Sequence, residues 1–300
     1  MTEGTALESV LKRDRIVVIA SLVGVIAVAW LYILLGAGMG MTAFEMTAVT
    51  PQTDLTPPLG AVYDIAGTTP SMVATSGETT MGMSEMAMDA MTPVAWTPGY
   101  ALLMFFMWWI MMVAMMLPSA SPTILLFAAV SRRRHKPGSP YAPVGSFAVG
   151  YLLAWGGFSL FAIALQWGLE RVAMLSSMMA STSVMLGGVL LLAAGTYQFT
   201  PFKDACLRHC RSPLHFLSHH WRKGTFGALR MGFEHGSFCL GCCWVLMGLL
   251  FVGGVMNLYW IIGIALFVLL EKTIPAGHRL GWIGGVGLMA WGSVLIVLSA

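Results

Sequence analysis

The sequence predicts an all-α fold, a polytopic membrane helix bundle of about seven transmembrane helices. Three observations predict it. Of the 300 residues, 57% are hydrophobic and only 10% charged, and the mean hydropathy is +0.79; a soluble domain carries about 25% charged residues. The apolar residues gather into runs that approach or exceed the roughly 20 residues a helix needs to cross a bilayer. Basic residues fill alternate connections between those runs, the asymmetry that orients membrane helices.

The first run, Ile16 to Leu35, follows Lys12, Arg13 and Arg15. That flank is like a signal peptide's, but the run is longer than a signal core and no small-residue cleavage site is clear, so an uncleaved anchor is expected. Residues 36–99 hold no Lys or Arg but do hold Glu45, Asp54, Asp64, Glu78, Glu85 and Asp89. Rich in Thr, Pro, Gly and Met, this segment has too few large aliphatics to bury a core and is expected to be largely irregular. The second run, Ala101 to Val130, is interrupted by "LPSASP", where an end or kink near Pro118 is expected. The third, Val144 to Leu169, follows the basic "SRRRHKPG", and the fourth, Val184 to Phe202, precedes a basic segment from Lys203 to Arg230. The fifth is Phe238 to Met256; the sixth, Leu258 to Leu270, is short enough to be re-entrant instead; the seventh is Gly281 to Ala300, after Lys272 and Arg279.

Only Arg171 breaks the charge alternation. The expected arrangement is an inner (cell) membrane protein with a cytoplasmic N-terminus, a periplasmic C-terminus and a long acidic outer loop. Three units follow: 1–35 as tail and anchor, 36–99 as outer loop, and 100–300 as a six-helix membrane domain. The net charge of +3 is scattered in short blocks, which argues against a nucleic-acid partner and leaves the lipid bilayer as the certain surroundings. No phosphate-binding loop occurs in any inner segment, so an ATP-driven pump is not expected.

Sulfur is distributed in two ways. The outer loop contains "MGMSEMAMDAM", in which Met81, Met83, Met86, Met88 and Met91 alternate with Glu85 and Asp89. Thioethers stay neutral, survive in oxidising compartments and suit copper(I); the competing reading is an adaptable contact surface. In the second run Met104, Met107, Met111 and Met115 follow steps of three, four and four, which keeps them on one helix face. They offer either a path for a soft metal or plain core packing. Met112 and Met116 flank that stripe, with Trp108 and Trp109 among them.

The cysteines sit elsewhere. Cys206, Cys210, Cys239, Cys242 and Cys243 all lie between positions 206 and 243, together with His209, His215, His219, His220 and His235. Ten of the twelve Cys and His residues thus share about an eighth of the chain. Cys206 and Cys210 are four apart; His235, Cys239, Cys242 and Cys243 fall at i, i+4, i+7 and i+8, again one helix face. The charge pattern puts this cluster at the reducing, cytosolic boundary, where thiols rather than disulfides persist. Arg208, Arg211 and Arg230 favour the thiolate form that binds metal. Metal binding, thiol redox chemistry and packing remain the three readings, with metal binding led by Cys206, Cys210, Cys239, Cys242, Cys243, His235 and His209. The spacings match no standard zinc finger, so the metal, copper(I) or zinc, is not fixed by motif.

Four polar residues complete the set. Glu271 and Lys272 in "LLEKTIPAG" read either as an interfacial charge pair or, for Glu271, as support for the metal site. Tyr197, Gln198 and Lys203 in "TYQFTPFK" are polar groups at an apolar helix end and need partners. The paired glycines beginning at Gly156, Gly187, Gly253 and Gly284 permit close helix packing.

In order, "MWWIMMVAMMLPSASP", "TYQFTPFKDACLRHCRSP", "GSFCLGCCWVLM" and "LLEKTIPAG" resemble a bacterial family of predicted metal-binding integral membrane proteins, catalogued as a domain of unknown function and sometimes labelled copper chaperones. The resemblance runs from about Ala101 to the C-terminus. It implies Cys206, Cys210, Cys239, Cys242 and Cys243 as metal positions, with Tyr197, Gln198, Lys203 and Glu271 as the other motif positions. The functional expectation is a copper(I)-handling membrane protein serving uptake, storage or delivery to a membrane copper enzyme or from a periplasmic copper carrier. The alternatives are a membrane thiol oxidoreductase, for which Cys239 and Cys242 have the Cys-x-x-Cys spacing but open a membrane helix and not a helix of a soluble fold, and a structural subunit.

Overall fold

The computed structural model of the chain describes residues 2–48, 96–134, 141–172, 174–175 and 183–299. Among the described residues the helices are α1 (Thr2–Leu34), α2 (Ala43–Ala48), α3 (Pro98–Arg134), α4 (Tyr141–Arg171), α5 (Val184–Tyr197), α6 (Pro201–Arg211), α7 (Pro213–His219), α8 (Gly224–Gly248), α9 (Leu250–Gly253), α10 (Leu258–Thr273) and α11 (Gly277–Ser299). The fold is all-helical. Among the described residues, five helical stretches are long and apolar enough to cross a membrane, or six if the bent α5–α6 pair is one span.

That differs from seven simple spans for two local reasons. Thr200 caps α6 by accepting from the Lys203 amide at 3.3 Å, and Pro201 occupies its first turn. Proline lacks the N–H that would continue α5, and its fixed φ starts a helix readily. The predicted fourth span therefore breaks, with a 64° bend between α5 and α6. The predicted sixth span is α10, whose 16 residues fall short of the usual ~20.

The turn after α1 shows how the chain enforces its stops. Gly36, at φ +84°, is left-handed, and the Ala37 and Gly36 amides reach back to the Tyr32 and Ile33 carbonyls at 3.0 and 2.8 Å. That pair of bonds is the Schellman ending, which favours glycine at its left-handed position. Thr42 and Glu45 then form a capping box for α2: Glu45 accepts from the Thr42 amide at 2.7 Å, and the Glu45 amide reaches the Thr42 hydroxyl at 3.3 Å. These bonds hold the Glu45 carboxyl below its ordinary pKa. A short helix thus interrupts the start of the loop expected to be irregular. The rest of that loop, residues 49–95, lies outside the described residues.

Two interfaces set the shape. α4 and α8 run parallel in close contact: a side chain at Gly232 would strike the Phe147 carbonyl, and one at Gly236 would strike Ala154 and the Tyr151 carbonyl. α5 and α11 meet through Gly188 opposite Gly292 and Gly195 opposite Gly285, each backbone lying where the other's Cβ would be. Small residues let membrane helices approach this closely. The helix does not end near Pro118; α3 continues through Pro118 and Pro122 to Arg134. Ser119 and Ser121 bond back to the Met116 and Leu117 carbonyls at 2.9 Å each, so their hydroxyls find partners within the helix itself.

One end of the bundle gathers the start of α3, the end of α4, α2 and the start of α10. There Trp96 meets Glu170, and the Leu258 amide donates to Thr47. α10 descends from that end over ~21 Å of helix and delivers Lys272 to the middle of α3 and α8, against Ser119 and Cys239. The candidate site lies at that depth.

Gly232→Leu is expected to cost about 1–3 kcal/mol through overpacking, read as a lower unfolding midpoint in detergent. Gly157→Ala is the control: its added carbon meets nothing within 4 Å, and the midpoint stays level or rises.

Candidate metal centre

The sulfur face of α8 forms as its spacing predicts, and it is interior. Cys239, Cys242 and Cys243 are 1%, 1% and 0% exposed, and His235 one turn earlier is 2% exposed. The helix begins at Gly224, so the cysteines sit in mid-helix rather than at its mouth. α3 and α4 supply the facing surface through Met116 and Tyr151, both fully buried.

Cys239 is the hub. The Lys272 ammonium lies 2.9 Å from its sulfur and 3.3 Å from the Ser119 hydroxyl. The Tyr151 hydroxyl stands 3.1 Å from the same sulfur and 3.2 Å from the Met116 carbonyl. The Cys242 and Cys243 thiols both point to the Cys239 carbonyl, at 3.0 and 3.1 Å. Cys243 Sγ is also 3.9 Å from Met116 Sδ. A cationic nitrogen, a phenol, three thiols and a thioether therefore share one buried volume.

α6 brings the other two cysteines alongside. Cys206 packs on Gly241, where a Cβ would stand 2.7 Å from its sulfur, and Cys210, one turn further along α6, is half-buried against the same core. The bend at Thr200–Pro201 is what turns this pair toward α8. All five cysteines are free, and the structure brings them to one region, as their spacing predicts.

A second polar layer lies beside the first. Lys203, 2% exposed, donates to Gln198 Oε1 and to Glu271 Oε1, with Glu271 1% exposed. Gly281 leaves the space this pair occupies, since a Cβ there would meet the Glu271 carboxylate and stand 3.4 Å from Lys203 Nζ. Tyr197 donates to the Gly241 carbonyl, on the turn that carries Cys242. Glu271 and Lys272 are therefore not a charge pair with each other. Both are buried, and they turn apart: Glu271 to Lys203, Lys272 to Cys239. A buried ammonium needs an anionic or strongly accepting partner, and with Glu271 already engaged Lys272 finds a sulfur.

The histidines divide. His235 is boxed by Phe216, Tyr151 and Phe147 at ring distances of 5.2, 5.9 and 6.1 Å, and its buried Nδ1 has no hydrogen-bond partner among the described residues. His209 turns elsewhere: its ring stacks on Phe238 at 4.2 Å and its Nδ1 meets the Ala205 carbonyl at 2.9 Å. Met104, Met107, Met111 and Met115 are all buried, at most 1% exposed, but the thioether that meets the cysteines belongs to Met116. Met81, Met83, Met86, Met88 and Met91 lie outside the described residues. Sequence reasoning missed Lys272, Tyr151, Ser119 and Met116 as neighbours of the thiols. Lys272, a lysine at the end of an otherwise apolar helix, was the available signal.

Among the described residues no three His, Cys, Asp or Glu side chains stand already arranged around a metal position. Two of the α8 thiols are instead spent on the Cys239 carbonyl. The donor chemistry fits a soft cation nonetheless: thiols and a thioether predominate, and His235 carries an orphaned nitrogen.

A family model described as copper chaperone, PpoB2, matches residues 105–295. No curated protein and no solved structure matches the chain.

Glu271→Leu strands the Lys203 ammonium and is expected to cost about 3–5 kcal/mol. Lys203→Met with Glu271→Leu removes both charges and recovers most of the loss. Denaturant unfolding in detergent checks both; equal losses in the single and double variants would show the pair to be inert.

Proposed function

The chain belongs to the PpoB2 copper chaperone family, and from that premise we propose that it is a membrane-embedded copper(I) carrier whose cargo is held by the α8 cysteines. The observation that carries the reading is the Lys272 ammonium at 2.9 Å from Cys239 Sγ inside a buried sulfur cluster. The thiolate is the form that binds metal, and an anion there needs a countercharge in so apolar a place. Lys272 supplies it from a helix that ends at that depth.

Copper(I) would be taken by Cys239 with Cys242 and Cys243, which release the Cys239 carbonyl as they bind. Met116 offers a neutral sulfur at the cluster's edge, and Cys210 and Cys206 on α6 offer thiols for passing the ion on. Exchange from thioether to thiolate runs toward tighter binding, so transfer from the outer methionines to the cysteines is downhill. The outer segment with Met81 to Met91 serves as collector in this reading. The setting is the inner membrane, with the N-terminus cytoplasmic and the C-terminus periplasmic, as the alternating basic connections argue. A membrane copper enzyme or a periplasmic copper carrier is the partner such chemistry serves. Zinc is the competing cargo, since thiolates bind it as well; the Met116 thioether beside Cys243 is the donor that favours copper(I).

The detergent-purified, reduced chain is expected to bind copper(I) stoichiometrically against a competing chelator, and the Cys239→Ser, Cys242→Ser, Cys243→Ser triple variant to lose it. Metal-free protein with thiols that cycle between oxidised and reduced forms would favour the oxidoreductase instead, and neither behaviour would favour a structural subunit. Lys272→Met is expected to weaken copper(I) binding about 10–100-fold, as loss of a group supporting a ligand does, while leaving the number of ions bound unchanged. An unchanged affinity contradicts the countercharge role.

A further inference from the structure

The thioether stripe of α3 has two ends, and each is tied to a different polar group. At one end Met116 Sδ lies 3.9 Å from Cys243 Sγ. At the other, Met104 Sδ accepts from Gln166 Nε2 at 3.6 Å. Gln166 is fully buried in α4, where an amide must find partners. Its Oε1 accepts from Trp108 Nε1 at 2.8 Å, and its Nε2 also donates to Glu170 Oε1 at 2.9 Å. Glu170 is half-buried, and its second oxygen accepts from Trp96 Nε1 at 2.6 Å. Trp96 itself meets Tyr100 edge-on at 5.2 Å.

We propose that Trp96, Glu170, Gln166 and Met104 form an intake site for a soft monovalent cation, copper(I), separate from the cysteine cluster and leading to it along the thioethers of α3. This rests on the reading of the chain as a copper(I) carrier. The carboxylate attracts the cation and offsets its lost hydration at the edge of an apolar interior. The Gln166 amide holds the first thioether next to that carboxylate. Met104, Met107, Met111, Met112, Met115 and Met116 are at most 1% exposed and cover ~18 Å of helix. Thioethers carry no proton to displace, so the cation changes partners without acid–base chemistry until it meets the thiols. Trp96 follows the segment with Met81 to Met91 in the chain, which places the collector next to the mouth in sequence.

The test mixes the full-length, reduced protein in detergent with copper(I) supplied as its acetonitrile complex and follows thiolate-to-copper charge-transfer absorption by stopped flow. Glu170→Gln keeps an oxygen acceptor for Trp96 and removes only the charge; Met104→Leu removes the sulfur at similar volume. Glu170→Gln is expected to slow loading about tenfold or more, the scale on which charge steers association, and Met104→Leu to slow it by removing the first soft donor, each with the final copper per chain unchanged. Met289→Leu on α11 should load at the wild-type rate. Wild-type rates and full capacity in both variants overturn the intake site and leave the carrier reading standing. A variant that also loses final capacity overturns it as well, since that marks a structural role. Wild-type protein that takes up no copper overturns the carrier reading and the intake site with it.

Discussion

The contact between Lys272 and Cys239 organises the middle of this molecule. An ammonium inside an apolar bundle is tolerated only beside groups that accept its protons and balance its charge, and this one rests on a sulfur 2.9 Å away and a serine hydroxyl at 3.3 Å. To bring it there, α10 ends after 16 residues, beside the middle of α3 and α8. To make room, α5 also stops, bends and continues as α6, carrying Cys206 and Cys210 toward the same place. The short and broken helices are consequences of building a polar centre inside the bundle.

Around that contact the structure separates its charges into two neighbouring layers. Lys203 and Glu271 neutralise each other with help from Gln198, while Lys272 is left facing sulfur. Consecutive residues on α10 thereby serve opposite ends: the carboxylate is used up in holding the fold, and the cation remains for the thiols. Tyr151 and Met116 close the sulfur pocket from α3 and α4, and the glycine contacts at Gly232 and Gly236 allow α8 to come near enough for them to do so. A copper-carrying role asks for this combination, a soft donor set with a built-in countercharge, where a zinc-finger-like fold would offer closed tetrahedral ligands.

Much of this was legible in the sequence. Composition and charge alternation gave the all-helical bundle, and the spacing from His235 to Cys243 gave one helix face with all three thiols on it. Clustering brought Cys206 and Cys210 into the same region correctly. The number of spans was harder to read, because hydropathy does not distinguish a full crossing from a helix such as α10 that ends in mid-bundle, or from α5 and α6 divided at Pro201. The charge-pair reading of Glu271 and Lys272 fails for a related reason: adjacent opposite charges at a helix end look like a surface pair until their burial is known. His209 shares the cysteine-rich segment yet stacks on Phe238, since the i, i+3 and i, i+4 rules fix faces and not the rotation of one helix against another. Tyr151, Ser119 and Met116 come from helices distant in sequence, and no local spacing points from them to the thiols.

X-ray absorption at the copper edge of the loaded, detergent-purified protein tests the central claim most directly. The account expects monovalent copper with a first shell made mainly of sulfur, and loss of that shell when Cys239 is changed to serine. A shell of nitrogen and oxygen alone, or a sulfur shell indifferent to Cys239, would contradict it.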